Sequence, residues 1–203
     1  MSQIYVKRHY CNGFTLIEVL ITLIVLSIGM LGLASLQVTG LKLGHDSKLR
    51  TTATILAHDM ADRMRSNPSI MDLGSAGNYD NPNGNLSGNP NCRGKDSSGN
   101  DVNVQCNNNQ LALHDFYEWY ANLRGQAATS WHPAIPAALP AGDGIVCIDS
   151  SPNDGAAPPG NPECDGIVSV PNKPIFVIKI WWRERKDESD PGTLQRFVTS
   201  LSL

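Results

Sequence analysis

Gly13-Phe14-Thr15-Leu16-Ile17-Glu18-Val19-Leu20 opens the longest apolar stretch of the chain and contains that stretch's one carboxylate. From Phe14 to Leu41 no other side chain ionises, and Lys42 is the next to do so. A charge at the centre of an apolar membrane segment costs on the order of 2.5–3.5 kcal/mol, and less near an interface. Glu18 therefore requires a partner. A cut between Gly13 and Phe14 would create one, because the new α-amine of Phe14 lies four residues from the carboxylate. Cation and anion would then share one membrane depth and pair within a chain or between neighbouring chains.

Working outward, residues 1–13 are polar and basic, with Lys7 and Arg8. Residues 14–41 suffice to cross a bilayer, which takes about 20 apolar residues. Beyond them Leu49, Ala53, Leu56, Met60 and Met64 recur at helical spacing. Asp59 and Arg63 stand four apart on another face, where they can pair. Asn67-Pro68 ends the pattern, since proline disfavours the α conformation in the residue before it. The spacing predicts one helix from about Thr15 to Ser66, roughly 75 Å long at 1.5 Å per residue. Its first half, 14–41, is apolar all round; its second half, 42–66, is amphipathic.

The remaining 67–203 reads as a globular head. With 203 residues in all, subtracting leader and membrane helix leaves about 150, one domain of ordinary size. Eighteen Gly and thirteen Pro, largely after Asn67, predict many turns. Residues 67–110 form a turn-rich loop, with Tyr79-Asp80-Asn81-Pro82-Asn83-Gly84-Asn85 as a run of turn signals. Residues 111–125 recover helical spacing, with Leu113, Phe116, Tyr117 and Tyr120 as the apolar stripe and Gly125 as a C′ candidate. Within 144–203 four strands are expected: Gly144–Ile148, Gly166–Val170, Pro174–Trp182 and Leu194–Leu201. The charged run Arg183–Gly192 reads as a solvated hairpin tip. The economical fold is α+β, an antiparallel sheet packed on the long helix.

Five cysteines are present, and Cys11 falls in the leader. Cys92, Cys106, Cys147 and Cys164 beyond a membrane segment predict two disulfides in an oxidising compartment. Three pairings are open, and sequence alone does not choose among them; the favoured one is nearest-neighbour, Cys92–Cys106 and Cys147–Cys164, which closes two short loops that would each contribute about 3 kcal/mol. The usual Cys-x2-Cys spacing of zinc sites is absent, which ranks zinc well below disulfides. Oxidation also settles topology, because Lys7 and Arg8 on one side are matched by Lys42, Lys48 and Arg50 on the other. The leader is then cytoplasmic and the head periplasmic.

Little else carries chemistry. Net charge is −3 with no basic stripe, which argues against nucleic acid. His58-Asp59 and His114-Asp115 resemble fragments of metal hydrolases, but no cluster completes them, and surface or capping roles fit better. Asp143, Asp149, Asn153, Asp154 and Asp165 crowd one loop region in a spacing unlike an EF-hand, so turn formation is preferred over calcium. Neither a phosphate loop nor a nucleophile elbow occurs. The expectation is a protein without catalysis, cofactor or metal.

Lys7-Arg8, Gly13, Phe14 and Glu18, followed by the apolar run, resemble the prepilin cleavage motif of type IV pilins and type II secretion pseudopilins. Further along, Ala112–Leu123 with Asp115 and Trp119, Leu139–Val146, Phe176–Arg183 and Gln195–Thr199 are similar to minor pilins of the PilV type. The resemblance implies cleavage after Gly13 by a membrane prepilin peptidase, N-methylation of Phe14, and attraction of a neighbouring subunit's Phe14 amine by Glu18. It implies a subunit that moves from the inner membrane, head in the periplasm, into a pilus. Its partners would be other minor pilins, the major pilin, the inner-membrane assembly machinery and a tip adhesin. A type II secretion pseudopilin and a secreted domain cut near Leu33-Ala34-Ser35 are the alternatives.

Overall fold

Fifty-one residues from Leu16 to Ser66 form helix α1. Its few polar side chains are absorbed by the helix itself: Thr22 donates to the Val19 carbonyl at 2.8 Å and Ser27 to that of Ile24 at 2.8 Å. Such back-bonding lets a hydroxyl sit in an apolar helix without an unmet donor. The helix stops at the expected Asn67-Pro68, where the Asn67 N–H turns back to Met64 at 3.1 Å and Pro68–Ile70 form a single 3-10 turn. The structure, a computed structural model, describes residues 13–70, 79–84, 92, 105–127, 134–157, 160–168, 174–184 and 192–202. The chain divides into two units, Met1–His45 and Asp46–Leu203, and α1 contributes to both.

In the second unit, helix α2 spans Asn108–Arg124. It begins three residues before the predicted start because Asn107 and Gln110 form a capping box. The Asn107 side chain accepts from the Gln110 N–H at 2.9 Å, and the Gln110 side chain accepts from the Asn107 N–H at 3.0 Å. The buried stripe is also rotated from expectation. Ala112, Phe116, Trp119 and Leu123 point inward at steps of four, three and four, while Leu113 and Tyr117 are only half-buried. Gly125 follows the helix at φ 77° and ψ 160°, away from the left-handed helical conformation of the expected C′ residue. Its role is close approach: a Cβ there would lie 2.8 Å from the Ala137 nitrogen.

Three strands, β1 (Asp143–Ile148), β2 (Ile175–Glu184) and β3 (Thr193–Ser202), form an antiparallel sheet in the order β1-β2-β3. The β2–β3 ladder runs unbroken from Ile175 opposite Ser202 to Glu184 opposite Thr193. The fold is therefore the expected α+β arrangement, a long N-terminal helix with an antiparallel sheet. One predicted strand is not formed where it can be seen. Gly166–Val168 are irregular because Gly166 takes φ 65° and Asp165 Oδ1 accepts from the Ile167 N–H at 2.8 Å, a local turn in place of a ladder. The end of that segment, 169–170, and the hairpin tip at 185–191 lie outside the described residues, as do 71–78, 85–91 and 93–104 of the long loop.

Both faces of the sheet are covered. Phe176, Ile178, Ile180 and Trp182 of β2 join Val146 and Ile148 against Ala53, Met60 and Met64 of α1 and Phe116, Trp119 and Leu123 of α2. Trp119 fixes the two helices together by donating its indole N–H to the Leu56 carbonyl at 2.9 Å. The opposite face gathers Ile145, Cys147 and Trp181, with Ala157 and Cys164 packed against them. Here the loop after β1 folds back over the sheet. Arg196 of β3 donates to the carbonyl of Asp154 at 2.6 Å and of Gly155 at 3.1 Å. Alternate residues of β2 thus serve two cores, and the strand reads as continuously hydrophobic.

Candidate functional site at the start of the long helix

The first turn of α1 is built by Thr15. Its carbonyl accepts from the Glu18 N–H at 3.1 Å and the Val19 N–H at 3.3 Å, and its hydroxyl oxygen accepts from the Glu18 N–H at 3.3 Å. Thr15 is thus the N-cap and Glu18 the third helical residue, where a carboxylate also meets the positive end of the helix dipole. Sequence reasoning used Glu18 but missed Thr15, although Thr-x-x-Glu ahead of an apolar run is a recognisable start signal. Gly13 lies just outside the helix with open space around its α-carbon.

Phe14 and Glu18 stand one helical turn apart and line one shallow cleft with Val19 and Thr22. Phe14 is 84% exposed, and every residue from Gly13 to His45 is exposed in the isolated chain. A helix this apolar and this bare has an environment to find, and α1 is long and apolar enough to cross a membrane. A Phe14 amine released by cleavage would emerge next to Glu18, at a helix end that opposes positive charge. The carboxylate counters that opposition.

The other sequence candidates fall into different places. Cys92 and Cys106 lie with Cα atoms 5.6 Å apart, and Cys147 and Cys164 with theirs 6.0 Å apart, each pair placed as a disulfide. His58 is exposed, but His114 and Asp115 are buried, which corrects the surface reading. Asp115 is held by Arg63 at 3.2 Å and by the Tyr79 hydroxyl at 2.7 Å. Arg63 also meets its expected partner Asp59 at 3.0 Å and Glu118 at 2.6 Å, so one guanidinium ties α1 to α2 through three carboxylates. Burial, reinforced by the bond to Asp115, pushes the Tyr79 phenol well above its ordinary range.

The acidic loop residues also have protein partners. Asp143 accepts from Arg124, Asp165 from Ser150 and Ile167, and Asp154 from Ser151 and Lys179. Lys179 supplies the cation that the loop's oxygens gather around. It is a second residue that sequence reasoning passed over, visible only as a lone charge inside Ile175-Phe176-Val177-Ile178-Lys179-Ile180-Trp181-Trp182.

Residues 8–34 match the family model described as the prokaryotic N-terminal methylation motif. The amino terminus carries a prepilin-type methylation motif. The match covers the end of the leader and the first part of α1, and it supports a type IV pilin or pseudopilin, processing by a prepilin peptidase and membrane association. No curated protein and no solved structure matches the chain.

Proposed function

We propose that the chain is a minor type IV pilin of the PilV type, a substrate of prepilin peptidase and then a building block. The observation that carries this reading is the methylation motif at residues 8–34, which runs into a segment exposed throughout from Gly13 to His45. In this scheme the peptidase cuts between Gly13 and Phe14 and Phe14 is N-methylated. Residues 14–41 hold the subunit in the inner membrane and later pack among other pilin helices, while 42–203 forms the periplasmic part. Glu18 draws the Phe14 amine of an adjoining subunit. The disulfides Cys92–Cys106 and Cys147–Cys164 form in the periplasm and tie the loops of the head.

The subunit then joins a low-abundance complex with other minor pilins that primes assembly at or near the pilus tip, supporting twitching and adhesion. A minor pseudopilin of type II secretion is the second reading, because the same motif serves both systems. The N-terminal peptide of the mature protein tests the first step: it begins at N-methylated Phe14. A start near Ser35, or a retained leader, overturns the assignment. Deleting the gene and scoring twitching against protein secretion separates the two readings. Replacing Gly13 with a bulky residue leaves the leader attached, as seen by the size of the membrane-bound protein.

A further inference from the structure

The outer face of the sheet holds a group of side chains that neither cleavage nor helix packing uses. Lys179, at the centre of β2, is wholly enclosed, and so is Asp149 at the end of β1. Lys179 Nζ stands 2.7 Å from Asp149 Oδ2 and 3.0 Å from Asp154 Oδ1. It donates to the carbonyls of Pro162 at 2.9 Å and Asp154 at 3.2 Å. In spite of the 2.7 Å approach, Asp149 Oδ2 receives no aligned hydrogen bond. The amine touches the carboxyl group without the orientation of a donor. Asp149 Oδ1 is fixed separately by the Ser151 N–H at 2.9 Å.

This arrangement has the parts of an amide-forming site. Enclosing two opposite charges away from water is costly, and joining them as an amide removes both charges. Fixed proximity is equivalent to an effective concentration of about 10⁵–10⁸ M in well-oriented pairs. Exclusion of water opposes the reverse hydrolysis. The Ser151 N–H is placed to stabilise charge on Oδ1 as the carboxyl carbon becomes tetrahedral. Asp154 is 34% exposed and accepts from the Ser151 hydroxyl at 2.6 Å, so it links the enclosed amine to solvent.

We propose that Lys179 and Asp149 condense into an intramolecular isopeptide bond, with Asp154 carrying the proton. Asp154 takes a proton from the ammonium, and the freed Nζ attacks Asp149 Cγ. The Nζ–Cγ bond forms and the Cγ–Oδ2 bond breaks. Oδ2 departs as water with the proton returned by Asp154 and a second one from nitrogen. Ammonium and carboxylate become amide and water, with no change of oxidation state. The product anchors the loop after β1 to the middle strand beside the Cys147–Cys164 pair.

Mass spectrometry of the full chain purified from membranes tests this. After N-terminal processing and cystines are accounted for, the expected mass is one water below that of the sequence. A branched peptide then joins Asp149 to Lys179, and trypsin fails to cut after Lys179. A complete mass, with Lys179 in an ordinary linear peptide, overturns the proposal. Asp154→Asn keeps both reacting groups and is expected to retain the water while melting as a folded protein; a fully cross-linked Asp154→Asn protein overturns the part given to Asp154. The N-terminal peptide is read in the same spectra, so failure here is distinct from failure of the pilin assignment.

Discussion

Glu18 is one residue with two duties, closing the first turn beside Thr15 and presenting a carboxylate next to Phe14. Glu18→Ala is expected to leave cleavage and insertion intact, because Gly13 and the apolar run are untouched, and to lower the amount of subunit in sheared filaments. Normal incorporation by immunoblot would remove the pairing role. In the head, two of the three carboxylates on Arg63 are unequal. Asp115 is nearly enclosed and serves Tyr79 as well, whereas Asp59 is 41% exposed. Asp115→Ala takes its acceptor from the buried Tyr79 hydroxyl and one of three carboxylates from the partly buried Arg63, and is expected to cost about 1–3 kcal/mol. Asp59→Ala removes an exposed helix pair worth about 0.5 kcal/mol. Thermal melts of the two variants in detergent should separate them clearly; equal shifts would contradict the burial argument. The Asp59–Arg63 pair was legible from spacing, but Asp115 and Glu118 were not, since their partner lies 52 and 55 residues away.

At the scale of elements, legibility followed how local the signal is. The long helix and its end at Asn67-Pro68 were readable because periodicity and proline act over a few residues. The start of α2 was readable in principle from Asn107 and Gln110, and the rotation of its buried stripe was not, because the sheet decides which side faces in. Gly144 shows that dependence. A Cβ on it would lie 2.6 Å from the Trp119 ring and 3.0 Å from Leu123, so α2 and β1 meet through a missing side chain. Gly144→Ala is expected to destabilise the head by about 1–3 kcal/mol, the usual cost of overpacking, read as a lower melting temperature in the full chain. An unchanged melt would mean that the helix can move away from the strand. The lost strand at Gly166–Val168 is the opposite case, where a β-like composition yields to a local turn at Asp165 and Gly166.

At the scale of the molecule, the outer layer of the head depends on ionised carboxylates. Asp154 is held below the ordinary value of 3.8 by its bond from Ser151 and, before condensation, by Lys179. Asp165 is held below 3.8 by Ser150 and the Ile167 N–H. Both ionise more readily folded than unfolded, so the unfolded chain takes up protons first as pH falls. Their contribution is complete above 3.8 and is lost as pH drops through the lower folded values. Melting temperature should therefore fall as pH drops below about 3.8, and Asp165→Asn should flatten part of that fall. A profile indifferent to that substitution would remove Asp165 from the account. The sequence by itself determined the methylation motif, the long helix and the α+β class, and left three cysteine pairings open. Each of the three rests on neighbours in the chain: a charge in an apolar run, a repeat, a proline. Only the tertiary structure decided that the loop after β1 covers the second face of the sheet, that Arg63 gathers three carboxylates, and that Lys179 is enclosed against Asp149. Those are contacts between distant segments, and burial sets their strength by removing water from charges that the sequence shows only as scattered residues.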